Sequence, residues 1–131
     1  MYEFSPKSTL KLRMCHPDLQ ELFRKVVERI DCTILQGHRT QAEQDMYFAT
    51  GKSKVKWPDS KHNSFPSRAV DVAPYPIDWE DRERFTYFAG VVMGIAHENN
   101  IKVRWGGDWN MDNNLSNNRF DDLVHFELID D

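Results

Sequence analysis

Residues Ser60 to Pro74 read SKHNSFPSRAVDVAP, and the short run Ala69 to Ala73 inside that stretch has the alternation of a strand. Val70 and Val72 fall on one face, and Asp71 shares the other with Ala69 and Ala73. A carboxylate flanked by alanines has room beside it for a ligand. A second stretch near the end, Asp122 to Leu128 (DLVHFEL), repeats the pattern: Val124, Phe126 and Leu128 make an apolar face and turn His125 and Glu127 together onto the opposite one. His62, in the loop before Asp71, completes a set of two imidazoles and one carboxylate. Three such protein ligands suit zinc and leave a fourth position for water. Spacing alone leaves this open, because a histidine beside a strand, taken singly, reads first as a structural hydrogen-bonding residue.

The remaining elements surround these two strands. Leu19, Leu22, Phe23, Val26, Val27 and Ile30 recur as one buried stripe of a helix from Pro17 to Ile30, with Asp18 and Glu21 at its positive end and His16 as a cap or surface residue. Cys32 to Gln36 reads as a buried strand ended by Gly37. Thr40 followed by Glu43 forms a capping box for a helix closed by Gly51. Lys52 to Lys61 suits a mobile loop leading to His62. Asp78 is the expected cap of a helix from about Trp79 to Glu98, lined inside by Phe85, Phe88, Val92 and Ile95, and Ile101 to Trp105 is a further strand. Ser5 to Cys15 reads as an extended lead-in. The expectation is a single α+β domain over residues 1–131, with about three helices packed on a small sheet whose strands meet at a cleft.

The loop after Trp105 carries Asp108, Asn110, Asp112, Asn114 and Ser116, oxygen-bearing residues at every second position. That is the opening spacing of a calcium loop. Asn113 stands where such a loop has glycine, and Arg119 where it has a bidentate glutamate. A weak calcium site and a solvated Asn-rich loop are equal readings, and calcium bound there would order the segment leading to Asp122.

A net charge of -4 argues against nucleic acid as the main partner, because a polyanion needs a basic surface on which to release counterions. Lys52, Lys54, Lys56 and Lys61 cluster, first as a solvated loop and second as a local attraction for an anionic polymer such as cell wall. Cys15 and Cys32 form no metal-type pair and read as buried free thiols. The segment MYEFSPKSTLKLR has no apolar core of a signal peptide, and no run reaches membrane-spanning length, so no membrane insertion is expected.

Ser60-x-His62, Ala69-x-Asp71 and Asp122-x-x-His125, with Trp105-Gly-Gly-Asp-Trp109 between them, resemble the zinc peptidase family of D-alanyl-D-alanine carboxypeptidases, D-Ala-D-Ala dipeptidases and phage L-alanyl-D-glutamate endolysins. The likeness spans roughly Ile34 to Leu128. His62 and Asp71 stand nine apart, a longer interval than the family's commoner one, and Ser67 or Arg68 stands where a glycine would. Asp122, where many members have glutamate, resembles the phage branch.

The resemblance implies a mainly antiparallel sheet, one catalytic zinc on His62, Asp71 and His125, and Asp122 as general base, with Glu127 its rival or a support for an imidazole. Gly37-His-Arg39 resembles the family's glycine-aromatic-arginine segment, which implies that Arg39 binds the substrate carbonyl or the developing oxyanion; a surface ion pair is the reading without it. Ser60, Lys61 and Arg68 are candidate supports or substrate binders. The implied reaction is hydrolysis of the L-alanyl-D-glutamate bond of the peptidoglycan stem peptide by a monomeric enzyme, made in the host cytoplasm and released through a phage membrane pore. The alternatives are a D-alanyl-D-alanine carboxypeptidase or dipeptidase and, outside enzymes, a zinc-containing binding module like the hedgehog signalling domain.

Overall fold

Antiparallel pairing across four strands brings the separated polar residues into neighbouring rows. The computed structural model describes residues 2–118 and 121–129. In it β1 (Cys32–Gln36), β2 (Ala69–Pro74), β3 (Val103–Gly106) and β4 (Asp122–Leu128) form one sheet in the order β1-β2-β4-β3. Each neighbouring pair is antiparallel, and with the helices α1 (Pro6–Arg13), α2 (Pro17–Arg29), α3 (Gln41–Ala49) and α4 (Arg82–Glu98) the architecture is α+β.

Register separates the sheet into two faces, since directly opposed residues put their side chains on the same side. Val70, Phe126 and Trp105 lie in one row, Val72 faces Ile34, and Leu128 faces Val103; all are buried. Helices α2 and α4 cover this face. Phe23 and Phe88 meet the Phe126 ring edge-on at centroid distances of 5.5 and 6.2 Å. Removing such a fully buried ring costs about 3–5 kcal/mol, so Phe126 fixes β4 in the register that aims its neighbours the other way.

Local signals explain the helices. The α2 stripe Leu19, Leu22, Phe23, Val26 and Val27 is buried, and His16 Nδ1 accepts the Asp18 N–H at 3.1 Å as its cap. The Thr40–Glu43 capping box opens α3, and Gly51 follows it at φ 79°. Two boundaries differ from expectation. Ser5 to Cys15 is helical over Pro6–Arg13 rather than extended: Ser5 Oγ accepts the Ser8 N–H at 3.2 Å and proline occupies the first turn. Only Ser8 and Leu12 face inward, too few positions to show a period. Helix α4 is capped by Asp81, which accepts the Arg84 N–H at 3.2 Å, whereas Asp78 takes the Glu80 N–H in the preceding turn.

Cys15 and Cys32 are buried free thiols, both pushed up to about 12, chiefly by burial. No helix among the described residues is long and apolar enough to cross a membrane.

Candidate active site

The face of the sheet turned away from α2 and α4 carries the polar rows. Asp71 lies opposite Gln36 on β1 and His125 on β4; in the next row Glu127 lies between Ala69 and Arg104. Two-residue alternation therefore lines up in space what the sequence holds far apart. His62 comes from a 3₁₀ turn over Lys61–Asn63, whose cap is Ser60: its Oγ accepts the His62 N–H at 3.2 Å, and Asn63 Oδ1 accepts the Ser60 N–H at 3.1 Å. Ser60 thus holds the turn that presents His62.

Each imidazole is oriented by one nitrogen and aims the other inward. His62 Nδ1 lies 2.7 Å from the Gly37 carbonyl, and His125 Nε2 lies 2.9 Å from Glu127 Oε1. The remaining nitrogens, His62 Nε2 and His125 Nδ1, sit 3.2 and 3.3 Å from the same oxygen, Asp71 Oδ1. One ligand atom from each residue lies within 4.8 Å of the others. A carbonyl or carboxylate on the outer nitrogen fixes the tautomer with a bare inner nitrogen, the arrangement a metal ligand requires. The donor set therefore fits a divalent metal that takes nitrogen and oxygen ligands.

The electrostatics agree. Burial alone would raise the Asp71 carboxyl, but the His62 charge and the hydrogen bonds of both histidines outweigh it and hold it well below the usual carboxylate range. Burial would lower His125, yet its hydrogen bonds to Asp71 and Glu127 and the nearby carboxylate charges push it up to about 9. The cluster attracts a cation, a proton in the absence of metal.

Asp122 stands beside this centre, its Oδ2 3.9 Å from His125 Nδ1. Burial, and then the charge of Asp71, raises its carboxyl above the ordinary value, against the pull of His125, His62 and Arg39. The two glycines after Trp105 make the approach possible: a Cβ on Gly106 would collide with the Asp122 carbonyl, and one on Gly107 with the Trp105 ring. Trp105 Nε1 in turn donates to the Leu123 carbonyl at 2.8 Å.

Glu127 is the hub of a second network. Its Oε2 accepts from Arg104 at 2.7 Å and pairs with Lys61 Nζ at 3.2 Å, while Oε1 faces His125. Burial opposes ionisation, but these partners bring its carboxyl down to about 2. Lys61 is thereby engaged with Glu127 and also donates to the Leu128 carbonyl.

Arg39 is buried, with Nη2 4.0 Å from Asp71 Oδ2, and so is no surface ion pair. Arg39, His62, Asp122, His125 and Glu127 line one cleft of about 360 Å³, together with the Lys52–Val55 segment and Trp109. Trp109 was given no separate role by the sequence, yet its ring lies 5.3 Å from that of His125 and 5.5 Å from the Arg104 guanidinium. Arg104 was legible: in IKVRW, Val103 and Trp105 point into the core, so Arg104 must point to the Asp71 face.

Arg68 is not brought to the cleft. It lines a separate groove with His16, Asp18, Lys102 and Leu128. In the loop after Trp105, Asp108 Oδ2 accepts the Asn113 N–H at 3.0 Å, Asn110 Oδ1 the Asp112 N–H at 3.3 Å and Asp112 Oδ1 the Asn114 N–H at 2.8 Å. Asp108 Oδ1 is shielded from solvent without a hydrogen-bond partner among the described residues. Arg119, at the twelfth position of that loop, lies outside the described residues.

Comparison with known proteins gives matches by family, by sequence and by structure. The model of a family described as phage L-alanyl-D-glutamate peptidase matches residues 1–129. The L-alanyl-D-glutamate peptidase of Escherichia phage T5 is 37% identical over 114 residues, which are 83% of this chain and 82% of that protein. The crystal structure of the Serratia marcescens L-Ala D-Glu endopeptidase ChiX superposes with a TM-score of 0.77 at 28% identity, covering 97% of this chain and 90% of that one.

Proposed function

The chain belongs to the phage L-alanyl-D-glutamate peptidase family, and we propose that it works as a zinc peptidase with Asp122 as its base. It is a peptidoglycan peptidase of the phage type; the metal, the residue roles and the exact bond are our reading. The observation that carries that reading is the convergence of His62 Nε2, His125 Nδ1 and the Asp71 carboxylate, with Asp122 beside them.

His62, Asp71 and His125 would hold the ion. When bound, zinc supplies a Lewis acid that polarises a carbonyl and brings the pKa of water down to about 7. Asp122, outside the donor set, takes the proton of the attacking water and returns it to the leaving amine. Its raised pKa suits both halves of that task. Arg39 offers guanidinium N–H groups to the oxygen on which negative charge develops. Glu127 keeps the His125 ring turned with Nδ1 inward, and Trp109 packs against that ring at the cleft wall.

The substrate in this reading is the stem peptide of bacterial peptidoglycan, cut between L-alanine and D-glutamate. The enzyme acts as a monomer, accumulates in the host cytoplasm and reaches the wall through a phage-encoded membrane pore. Calcium at Asp108, Asn110, Asp112 and Asn114 would be a second, weaker cation site that must displace the loop's own side-chain-to-backbone bonds; Asp108 Oδ1, unpartnered among the described residues, is the observation in its favour. Isothermal titration without heat at millimolar calcium removes it.

Mass spectrometry of purified peptidoglycan after incubation with the protein, with and without a chelator, tests the function. Stem peptides with a new D-glutamate amino terminus, lost on chelation and restored by zinc, are expected. Release of D-alanine alone means a carboxypeptidase, and no cut by a folded, zinc-loaded sample means a binding module.

A further inference from the structure

Arg39 is held in the cleft by hydrogen bonds to carboxamides, its one carboxylate pair among the described residues being the long 4.0 Å contact with Asp71, and that is unusual for a buried guanidinium. Its Nε and Nη2 both donate to Gln36 Oε1, at 3.0 and 2.8 Å, and its Nη1 donates to Gln44 Oε1 at 2.8 Å. The Tyr47 ring lies under the guanidinium, 4.4 Å from its central carbon. A guanidinium has five N–H donors. Three are taken by the two carboxamides, which leaves one on Nη1 and one on Nη2 among the described residues.

Gln44 is wholly buried, and both ends of its amide are in use. Its Nε2 donates to Ser53 Oγ at 3.0 Å and to the Val55 carbonyl at 2.8 Å, in the segment that walls the cleft. Its Oε1 also receives Asn63 Nδ2 at 3.2 Å, one residue from His62. Gln36 is the cross-strand neighbour of Asp71. The two glutamines therefore tie Arg39 to the β1 end, to the cleft wall and to the turn that carries His62.

We infer that Gln36 and Gln44 are positioning residues for the peptidase reaction: a neutral clamp that fixes the Arg39 guanidinium beside Asp71 while leaving its charge and two N–H groups for a substrate oxygen. Glutamate at Gln36 would keep the acceptor for Nε and Nη2 and cancel the charge Arg39 presents, whereas at Gln44 it would also lose the N–H groups that bond Ser53 and Val55. The clamp matters only if Arg39 acts on substrate, so the inference rests on that part of the proposed function.

The test is a double-mutant cycle on the zinc-loaded enzyme, with kcat, KM and metal content measured for Gln36→Glu, Arg39→Ala and the pair. Loss of one such donor group lowers kcat by about 10²-fold, so Arg39→Ala should fall about that far and Gln36→Glu about tenfold. The expected signature is that Gln36→Glu has no further effect once Arg39 is gone, with metal content unchanged. Wild-type kcat in Gln36→Glu overturns the clamp. So does an equal loss in the Arg39→Ala background, which would place the effect in the metal or the fold. Wild-type kcat in Arg39→Ala sinks the role of Arg39 itself, a failure distinct from that of the clamp.

Discussion

At the His62, Asp71 and His125 cluster, donors from three separate elements point at one spot, whereas in the loop from Asp108 to Ser116 the polar side chains turn back on their own backbone. Both stretches are rich in metal-ligating residue types, and the difference lies in what holds them. The cluster is imposed by sheet register and by hydrogen bonds from the outer imidazole nitrogens to the Gly37 carbonyl and Glu127, which turn the inner atoms toward one another. The loop closes through contacts two residues apart, such as Asp112 Oδ1 to the Asn114 N–H at 2.8 Å and Asn114 Oδ1 to the Ser116 N–H at 3.1 Å. Local bonds of that kind compete with a ligand instead of presenting one. Met111 and Asn113, at φ 58° and 63°, are the turns that make such closure possible.

The sharpest way to break the comparison is to remove a ligand. Asp71→Ala or His125→Ala should leave the protein unable to retain metal on dialysis and without measurable cleavage of peptidoglycan. Stoichiometric metal in either variant would put the ion elsewhere. Asp122→Ala should separate the two properties: metal content stays near one per chain while kcat falls by about 10²- to 10⁴-fold, the usual contribution of a general base. If kcat survives in Asp122→Ala, Glu127 becomes the base.

Glu127→Gln has a smaller expected effect. It keeps an acceptor near His125 Nε2 but loses the charge that pairs Arg104 and Lys61, so metal affinity should weaken by about 10- to 100-fold in competition with a chelator. Unchanged affinity would mean that His125 needs no such support.

Acid and base titration sharpens the contrast further. In the metal-free protein His125 rises from 6.5 to about 9, so its contribution to stability is complete below 6.5 and is lost as pH climbs through about 9. Glu127 falls from 4.5 to about 2, so its contribution is present above 4.5 and is lost as pH drops through about 2. The Tm of chelated protein should therefore be highest between about 4.5 and 6.5 and decline toward pH 9, a decline that His125→Ala removes. The smallest effect is reserved for the loop: without added calcium, Asp112→Ala should leave cleavage, zinc content and Tm within error.

Alternation made much of this legible. AVDVA and DLVHFEL place Asp71, His125 and Glu127 on one face by counting alone, and the helices with strong apolar stripes or a capping box were visible for the same reason. Helix α1 was not, because Ser8 and Leu12 are its only buried residues. Counting along one strand also says nothing about which strand lies beside it. The pairing of Asp71 with Gln36, and of Glu127 with Arg104, depends on strand order and on the irregular registers after Ile34 and Trp105. Arg68 shows the same limit: one residue before β2, its basic side chain fitted an anionic substrate on paper, and its place in the fold puts it in another groove.

The measurement that bears most directly on the central claim is X-ray absorption at the zinc edge of the metal-loaded enzyme, compared with His125→Ala. The expected spectrum shows scattering from two imidazoles and an oxygen ligand in a low-coordinate shell, with one imidazole lost in the variant. An all-oxygen shell that the variant leaves unchanged would contradict it and place the metal away from His62, Asp71 and His125.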